Sequence, residues 1–320
     1  PASQELYCEN DSSEIGIVVS TTRSGCSVLL HDKIYEIALA AIRPGKDIVV
    51  GDRVILSNSL LDKSIETILP RKTTLGRSDP QISERVRVLA ANVDQVIVVA
   101  PASNSGIRSR LVDRFLIAAQ ASGAKALVCI TKVDLLDHES RITLQNTLHA
   151  YKQIDVQCIL TSSISGEGLS ELNDSIRNKF NVLIGQSGVG KSSILNALNP
   201  VLSIKVGEVR ESDGKGKHTT TGSKAYRLDE ETLVIDTPGI RQLGLVGVDI
   251  NTLPKYFPEF LGFDSVCKYS NCSHIHEPDC GVKMAVRDGC ISVQRYESYR
   301  KLALEIDSDS SPPRSESMSD

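Results

Sequence analysis

The chain has 320 residues, 40% of them apolar and 24% charged, and 36 basic against 40 acidic side chains leave a net charge of −4. At roughly 100–200 residues per domain, this length holds two or three domains. The longest apolar runs, such as Val96–Ala100, fall far short of the ~20 residues of a membrane-spanning helix. The charge balance excludes a globally basic nucleic-acid coat but leaves room for local basic patches. No basic segment followed by an apolar one opens the sequence, as a secretory leader would. These features predict a cytoplasmic, membrane-free monomer with reduced thiols; an organelle matrix or stroma is the alternative if the chain is a trimmed precursor.

Residues 1–14 are polar and acidic and read as an unstructured lead-in. From Ile15 to about Leu69 short apolar strands follow one another: Ile15–Val19, Ser27–Leu30, Ile34–Ala38, Asp47–Val50 and Arg53–Leu56. Gly, Asp, Asn or Pro punctuates them every 8–12 residues or so, the rhythm of a small β-barrel. Such strands fit an OB-like barrel over 1–78, and an SH3-like or other small β domain fits the same pattern. Leu69–Pro80 is polar and reads as a linker.

Strands and helices then alternate, which predicts an α/β domain with a largely parallel sheet over 79–243. The strands are Gln95–Ala100, Ala126–Ile130, Val156–Leu160 and Asn181–Ile184. The helices are Ser109–Ser122, Ser140–Tyr151, Leu169–Asn178 and Lys191–Leu198, and Ser223–Leu228 with Thr232–Ile235 forms a hairpin. A Cys-rich unit over 244–306 ends in a helix, Ile291–Ile306, and 307–320 is a solvated acidic tail.

Gly185-Gln186-Ser187-Gly188-Val189-Gly190-Lys191-Ser192-Ser193 matches G-x-x-x-x-G-K-[ST] between a strand and a helix, the context that motif requires. Its glycines let successive N–H groups face phosphates at a helix N-terminus. Lys191 would reach the β- and γ-phosphates and Ser192 would ligate Mg²⁺. Asp236-Thr-Pro-Gly239 ends the second hairpin strand, where the carboxylate can hold Mg²⁺ and Gly239 N–H the γ-phosphate. Thr131-Lys132-Val133-Asp134 follows a buried strand and resembles the N-K-x-D element with which GTPases read guanine. Some 30 residues on, Thr161-Ser162-Ser163 stands where such proteins contact guanine O6. The guanine elements precede the phosphate loop, so the order is circularly permuted. Between the phosphate loop and Asp236 lies Lys215-Gly-Lys217-His218-Thr219-Thr220-Thr221. That is the place of a first switch, whose Thr220 can close on Mg²⁺ and the γ-phosphate.

Cys267, Cys272 and Cys280, with His274 or His276 among them, supply three thiolates and an imidazole, a set suited to a closed structural Zn²⁺ site. Cys129 and Cys158 read as reduced core residues, and Cys290 as packing.

Together these parts resemble the small-subunit-dependent GTPases of the RsgA (YjeQ, YloQ) family. The specific matches are Gly51-Asp-Arg-Val, Ala90-Ala-Asn-Val-Asp-Gln95, Gly185–Ser193, Gly216-Lys-His-Thr-Thr-Thr221, Asp236-Thr-Pro-Gly239, and Cys267–Cys280 with Glu277-Pro278. The resemblance implies GTP and GDP binding with Mg²⁺, and action on the 30S ribosomal subunit and its 16S rRNA late in maturation. It also implies one zinc held with His274 as the imidazole, and a catalytic role for His218 beside Lys191. Ile240 follows D-x-x-G, where many GTPases carry a water-orienting Gln, so slow hydrolysis is expected from the free protein. Thr131 stands in place of the usual Asn, which implies a weaker brace to base or phosphate loop. The competing readings are a nucleotide-dependent ribosome-binding placeholder and a P-loop ATPase of another RNA pathway.

Overall fold

A computed structural model describes residues 15–42, 47–57, 63–79, 82–204, 224–236 and 243–310. The N-terminal barrel consists of β1 (Ile15–Thr21), β2 (Gly25–Leu30), β3 (Lys33–Ala38), β4 (Arg53–Leu56) and β5 (Ile65–Ile68). β1 pairs antiparallel with β2 and β4, β2 with β3, and β4 with β5, while a parallel bridge between Ile42 and Ile65 brings the far edges together. Alternate residues point inward, as the two-residue period of a strand requires. Val18, Cys26, Val28, Leu30, Ile37, Val54, Leu56 and Ile65 fill the interior.

Two expectations for this region are corrected. Asp47–Val50 is not a strand; Val50 alone makes a bridge, to Ala90. Side chains claim its backbone groups instead: Val49 N–H donates to Asp52 Oδ2 (2.9 Å) and Arg71 donates to the Asp47 carbonyl (2.7 Å). The segment read as a linker contains β6 (Thr74–Asp79), paired antiparallel with β7 (Ile82–Ala91). Its polar sequence hid the strand, yet Leu75 is buried and Asn92 stitches the ribbon's base, its Oδ1 accepting from Lys72 N–H at 2.9 Å. The expected boundary after Ser78 therefore falls inside β6.

The central sheet runs β10-β9-β8-β11-β13-β12, formed by β8 (Gln95–Pro101), β9 (Lys125–Thr131), β10 (Gln157–Leu160), β11 (Phe180–Ile184), β12 (Lys224–Arg227) and β13 (Leu233–Asp236). All neighbours are parallel except β12 and β13, the hairpin read from the sequence. Val96, Val98 and Ala100 of β8 face one layer, with α1 (Ser109–Ala121) and α2 (His138–Lys152). Ile97 and Val99 face the other, with α3 (Leu169–Ile176) and α4 (Lys191–Leu198). A strand covered on both faces reads as a continuous apolar run rather than an alternation.

Two of the motifs that carried the family resemblance build the joint between barrel and sheet. Gly51 has φ +93°, and a Cβ there would run into the Ala91 carbonyl, so the position demands glycine. Asn92 Nδ2 donates to the Gly51 carbonyl at 2.9 Å. Asp52 is fully buried and takes a two-pronged ion pair from Arg71, at 2.7 and 2.9 Å. β1 also pairs with β12 through Ser20 and Lys224, so barrel and sheet share one ladder. Removing one partner of a buried pair strands the other. Asp52→Ala is therefore expected to lower stability by about 2–4 kcal/mol in denaturant titration, the range discounted because Arg71 keeps 24% of its side chain exposed. Asp32→Ala, which breaks the surface pair with Arg227, is expected to cost under about 1 kcal/mol. Equal effects of the two would refute the distinction.

The C-terminal unit has three short 3-10 turns, α5 (Gly281–Arg287) and α6 (Val293–Ser310). Leu253, Phe257, Phe260, Val282, Tyr299 and Leu302 form its core, which Ile117 of α1 joins. α6 continues past the expected Ile306 into the acidic stretch. It packs on α1 through Arg295, 5% exposed, which pairs with Asp113 of α1 and with Glu259 (2.7 Å) and stacks over Phe257. Cys290, expected to pack, is exposed. Cys129 is buried and Cys158 half-buried.

Candidate functional site

β11 delivers the chain into the 185–193 loop, and Gly190 caps α4 with φ +102°. Lys191 is buried, and its ammonium donates to the Gly185 and Gln186 carbonyls, both at 2.9 Å. This arches the side chain back over the loop that its backbone belongs to. β13 lies beside β11 with Leu183 opposite Asp236, and the register brings Ser192 Oγ to 3.4 Å from Asp236 Oδ2. A hydroxyl and a carboxylate from separate motifs thus converge at one edge of the loop, a pair of hard oxygens suited to Mg²⁺.

The guanine-type elements meet the same loop from the other side. Thr131 ends β9, and its hydroxyl donates to the Val189 carbonyl at 2.5 Å. A hydroxyl in place of the usual amide thus still makes a direct bond to the phosphate loop. Lys132, at φ +61°, donates from Nζ to the Gly188 carbonyl at 2.9 Å, so its stem runs alongside the loop. Val133 is buried and anchors the turn that carries the exposed Asp134. Val133 N–H donates to the Thr161 carbonyl, which joins the two elements. Ser162 is buried, its Oγ accepting from Ile164 and Ser165 N–H at 3.1 and 3.0 Å, while Ser163 is exposed.

Three residues that the sequence reading passed over complete this region. Arg141 donates to both carboxylate oxygens of Glu167, at 2.7 and 2.9 Å, and to the Val133 carbonyl. It thereby clamps the 133 and 162 loops together. Ile164 is 84% exposed, an apolar side chain in water directly after Ser163. An apolar residue in a Ser-rich turn was the one available signal; nothing in spacing announces Arg141 and Glu167. His218, Thr220 and Gly239 lie outside the described residues. The remaining members of the set are gathered at one end of the sheet: 131–134, 162–163, 185–193 and 236.

The second constellation is the metal-type cluster. Ligand atoms of Cys267, Cys272, His274 and Cys280 all lie within 4.8 Å of one another. Cys267 Sγ is 3.6 Å from His274 Nδ1 and 3.9 Å from Cys280 Sγ, and Nδ1 is 3.4 Å from Cys280 Sγ. A tetrahedron with Zn–S bonds of ~2.3 Å has edges of about 3.5–3.8 Å, so the donor set fits zinc with no open position. His276 is exposed and apart from the cluster, which decides between the two histidines. Hydrogen bonds around the ligands support the loop: Tyr296 Oη donates to the His274 carbonyl (2.8 Å), and Gly281 N–H to Cys267 Sγ (3.3 Å). Burial works against the charge of Glu277, yet donors from Ser273 and Ile275 win and hold its carboxyl at about 2.

A phosphate loop, a D-x-x-G strand and two guanine-type loops on one parallel sheet define a GTPase domain, with its parts in permuted order. The profile of the RsgA GTPase family matches residues 68–246. The small ribosomal subunit biogenesis GTPase RsgA of Haemophilus influenzae is 35% identical over 296 residues, covering 91% of this chain and 84% of that one. Its counterpart in Histophilus somni is 34% identical over 266 residues, covering 82% and 75%. The crystal structure of YjeQ from Thermotoga maritima superposes with a TM-score of 0.73 at 32% identity, over 92% of this chain and 98% of that one. YloQ, a circularly permuted GTPase, gives 0.73 at 26% identity over 98% and 100%. The chain belongs to the RsgA GTPase family.

Proposed function

We propose that this protein binds the 30S ribosomal subunit and assists its late maturation, hydrolysing GTP to GDP and phosphate with stimulation by the subunit. One observation carries the nucleotide reading: Thr131 and Lys132 are bonded directly to the Val189 and Gly188 carbonyls. A base held at 131–134 and phosphates held at 185–193 would share one cradle, although the two stretches are far apart in the chain. Asp134 accepts two bonds from guanine that adenine cannot offer. Ser163 supplies its backbone to the base, and the Lys132 stem and Ile164 offer apolar faces to it. The N–H groups of Gly185 to Ser193 face the phosphates, and Lys191 leaves its carbonyl partners for phosphate oxygens. Ser192 and Asp236 would hold Mg²⁺, with Thr220 and Gly239 closing on the γ-phosphate. Mg²⁺ supplies neutralisation of charge on the phosphate oxygens.

His218 takes the role that the Gln after D-x-x-G plays elsewhere and orients the attacking water, once the subunit orders its loop. The cysteine cluster holds one structural zinc. The barrel and the zinc unit both contact 16S rRNA through local Lys and Arg rather than net charge, since 1–78 carries nine basic and ten acidic residues and 267–301 six and four. Among the described residues no helix is long and apolar enough to cross a membrane. We place the protein in the cytoplasm as a monomer.

Turnover of GTP and of ATP, each with and without 30S subunits, tests this. Slow GTP turnover is expected alone, with strong stimulation by 30S and no turnover of ATP. His218→Ala is expected to keep GTP binding and lose about 10²-fold or more of the stimulated rate, the size of a lost general-catalysis contact. ATP turnover equal to GTP, or no response to 30S, would overturn the reading.

A further inference from the structure

The phosphate loop has a neighbour that none of the recognised motifs contains. β8 lies beside β11, with Val98 opposite Ile184, so the loops leaving the two strands run side by side. The β8 loop ends at Arg108, which stands immediately before the first residue of α1. Its guanidinium Nη1 donates to the side-chain oxygen of Gln186 at 2.9 Å. Between these loops lies a cleft of about 380 Å³, floored by Val98–Ala100 and walled by Arg108 and Gln186–Val189.

The electrostatics of Arg108 are unfavourable as they stand. It is exposed, and among the described residues it has no ion-pair partner. It sits at the positive end of the α1 dipole, where a cation is disfavoured. The first turn of α1 contains no acid to compensate and holds a second cation, Arg110. Arg110 is paired, with Glu305; Arg108 spends one of its five N–H donors on a neutral amide. A planar fork of donors matches phosphate oxygens, and the loop beside it is built for phosphates. The position after D-x-x-G, meanwhile, holds Ile240, whose side chain can neither donate to a phosphate nor orient water.

We infer that Arg108 is a catalytic residue of GTP hydrolysis: an arginine supplied in cis that leaves Gln186 to bond the γ-phosphate as its bond to GDP breaks. This role rests on the GTPase reading above. In the step, a water oxygen forms a bond to the γ-phosphorus. The bond from that phosphorus to the bridging oxygen breaks, its electron pair stays on the β-phosphate of GDP, and the water proton ends on the released phosphate. Arg108 stays protonated throughout and only donates hydrogen bonds to the transferring group. An arginine in this role acts chiefly in the transition state, where it raises kcat by 10³-fold or more in GTPases that rely on it.

The test compares the full-length parent, Arg108→Ala and Arg108→Lys, with zinc and Mg²⁺ present, in 30S-stimulated turnover and in binding of GDP with and without aluminium fluoride. Arg108→Ala is expected to lower kcat by about 10²–10³-fold with KM within about threefold. It should keep GDP affinity but lose the aluminium fluoride complex. Arg108→Lys should recover only part of both, because it keeps the charge without the fork. A kcat and an aluminium fluoride complex equal to the parent's in Arg108→Ala would overturn the inference alone. So would an equal loss of GDP and GTP affinity, which marks a structural role. A parent that neither turns over GTP nor forms the complex would overturn the GTPase reading, and this inference with it.

Discussion

Asp134→Asn is expected to weaken GTP and GDP binding by about 10³-fold and to create affinity for xanthosine nucleotides. A carboxylate accepts from both guanine N1–H and the 2-amino group. An amide has a single acceptor oxygen and turns an N–H₂ toward the second donor, so one buried donor on each side loses its partner. Sites built on such bonds discriminate by 10⁴–10⁵ against a ligand that cannot make them. Xanthine carries a carbonyl where guanine has its amino group, and the Asn amide complements it. The substitution has little else to disturb. Asp134 is exposed in the short turn Val133–Leu135, which the buried Val133 and the Arg141–Glu167 clamp hold from beneath. Stability should therefore stay within about 0.5 kcal/mol. Nucleotide titrations of parent and variant measure this directly. A variant that still prefers GTP to the xanthosine analogue would show that Asp134 does not face the base.

Loss of the metal is expected to have the largest structural effect. Zinc binding contributes about 10–16 kcal/mol in small zinc peptides that do not fold without it. Here the dependence is softened by a real core. Phe260 lies edge-on to both His274 and Tyr299, with ring centroids 5.7 and 4.9 Å apart, and Phe257 stacks beside them. The 267–280 loop keeps its hydrogen bonds from Tyr296 and around Glu277, but these hold only its 273–277 stretch once four ligands lose their common centre. Chelation, or Cys280→Ser, should release this loop and the α5 start. That should be visible as loss of near-ultraviolet dichroism from the tyrosines, since the chain has eight Tyr and no Trp. Nucleotide affinity should be preserved, because the sheet has its own core on both faces. Cys290→Ser should do nothing, being exposed and outside the cluster. Zinc absent from the purified protein, or a spectrum unchanged on chelation, would contradict this.

The α1–α6 contact joins the C-terminal unit to the nucleotide domain. α1 begins at the residue after Arg108, beside the phosphate loop. Its next turn carries Asp113, paired with Arg295 of α6, and Gln294 Nε2 donates to Ser109 Oγ at 2.8 Å. One helix thus touches the phosphate loop at its start and the zinc unit along its length.

The sequence by itself determined the local chemistry. A phosphate loop needs glycines and a lysine at set spacing within a few residues, so Gly185–Ser193 was legible without coordinates. The same holds for the strands that feed it, because strands buried on both faces are continuous apolar runs, and for the set of soft ligands at 267–280. What only the tertiary structure decided was every feature made by residues distant in the chain. Asp47–Val50 has a strand's composition, but Asp52 and Arg71 bind its backbone groups before a ladder can. Thr74–Asp79 has a linker's composition, and it became a strand because β7 pairs along it while Asn92 fixes Lys72 and Thr73 just before it. The Thr131 brace to Val189, the Arg141–Glu167 clamp, the choice of His274 over His276, and Arg108 against Gln186 join residues brought together by strand order. Hydropathy and spacing report what a segment does with its own neighbours; such polar pairs cost too little sequence signal to be seen until the sheet has placed them in contact.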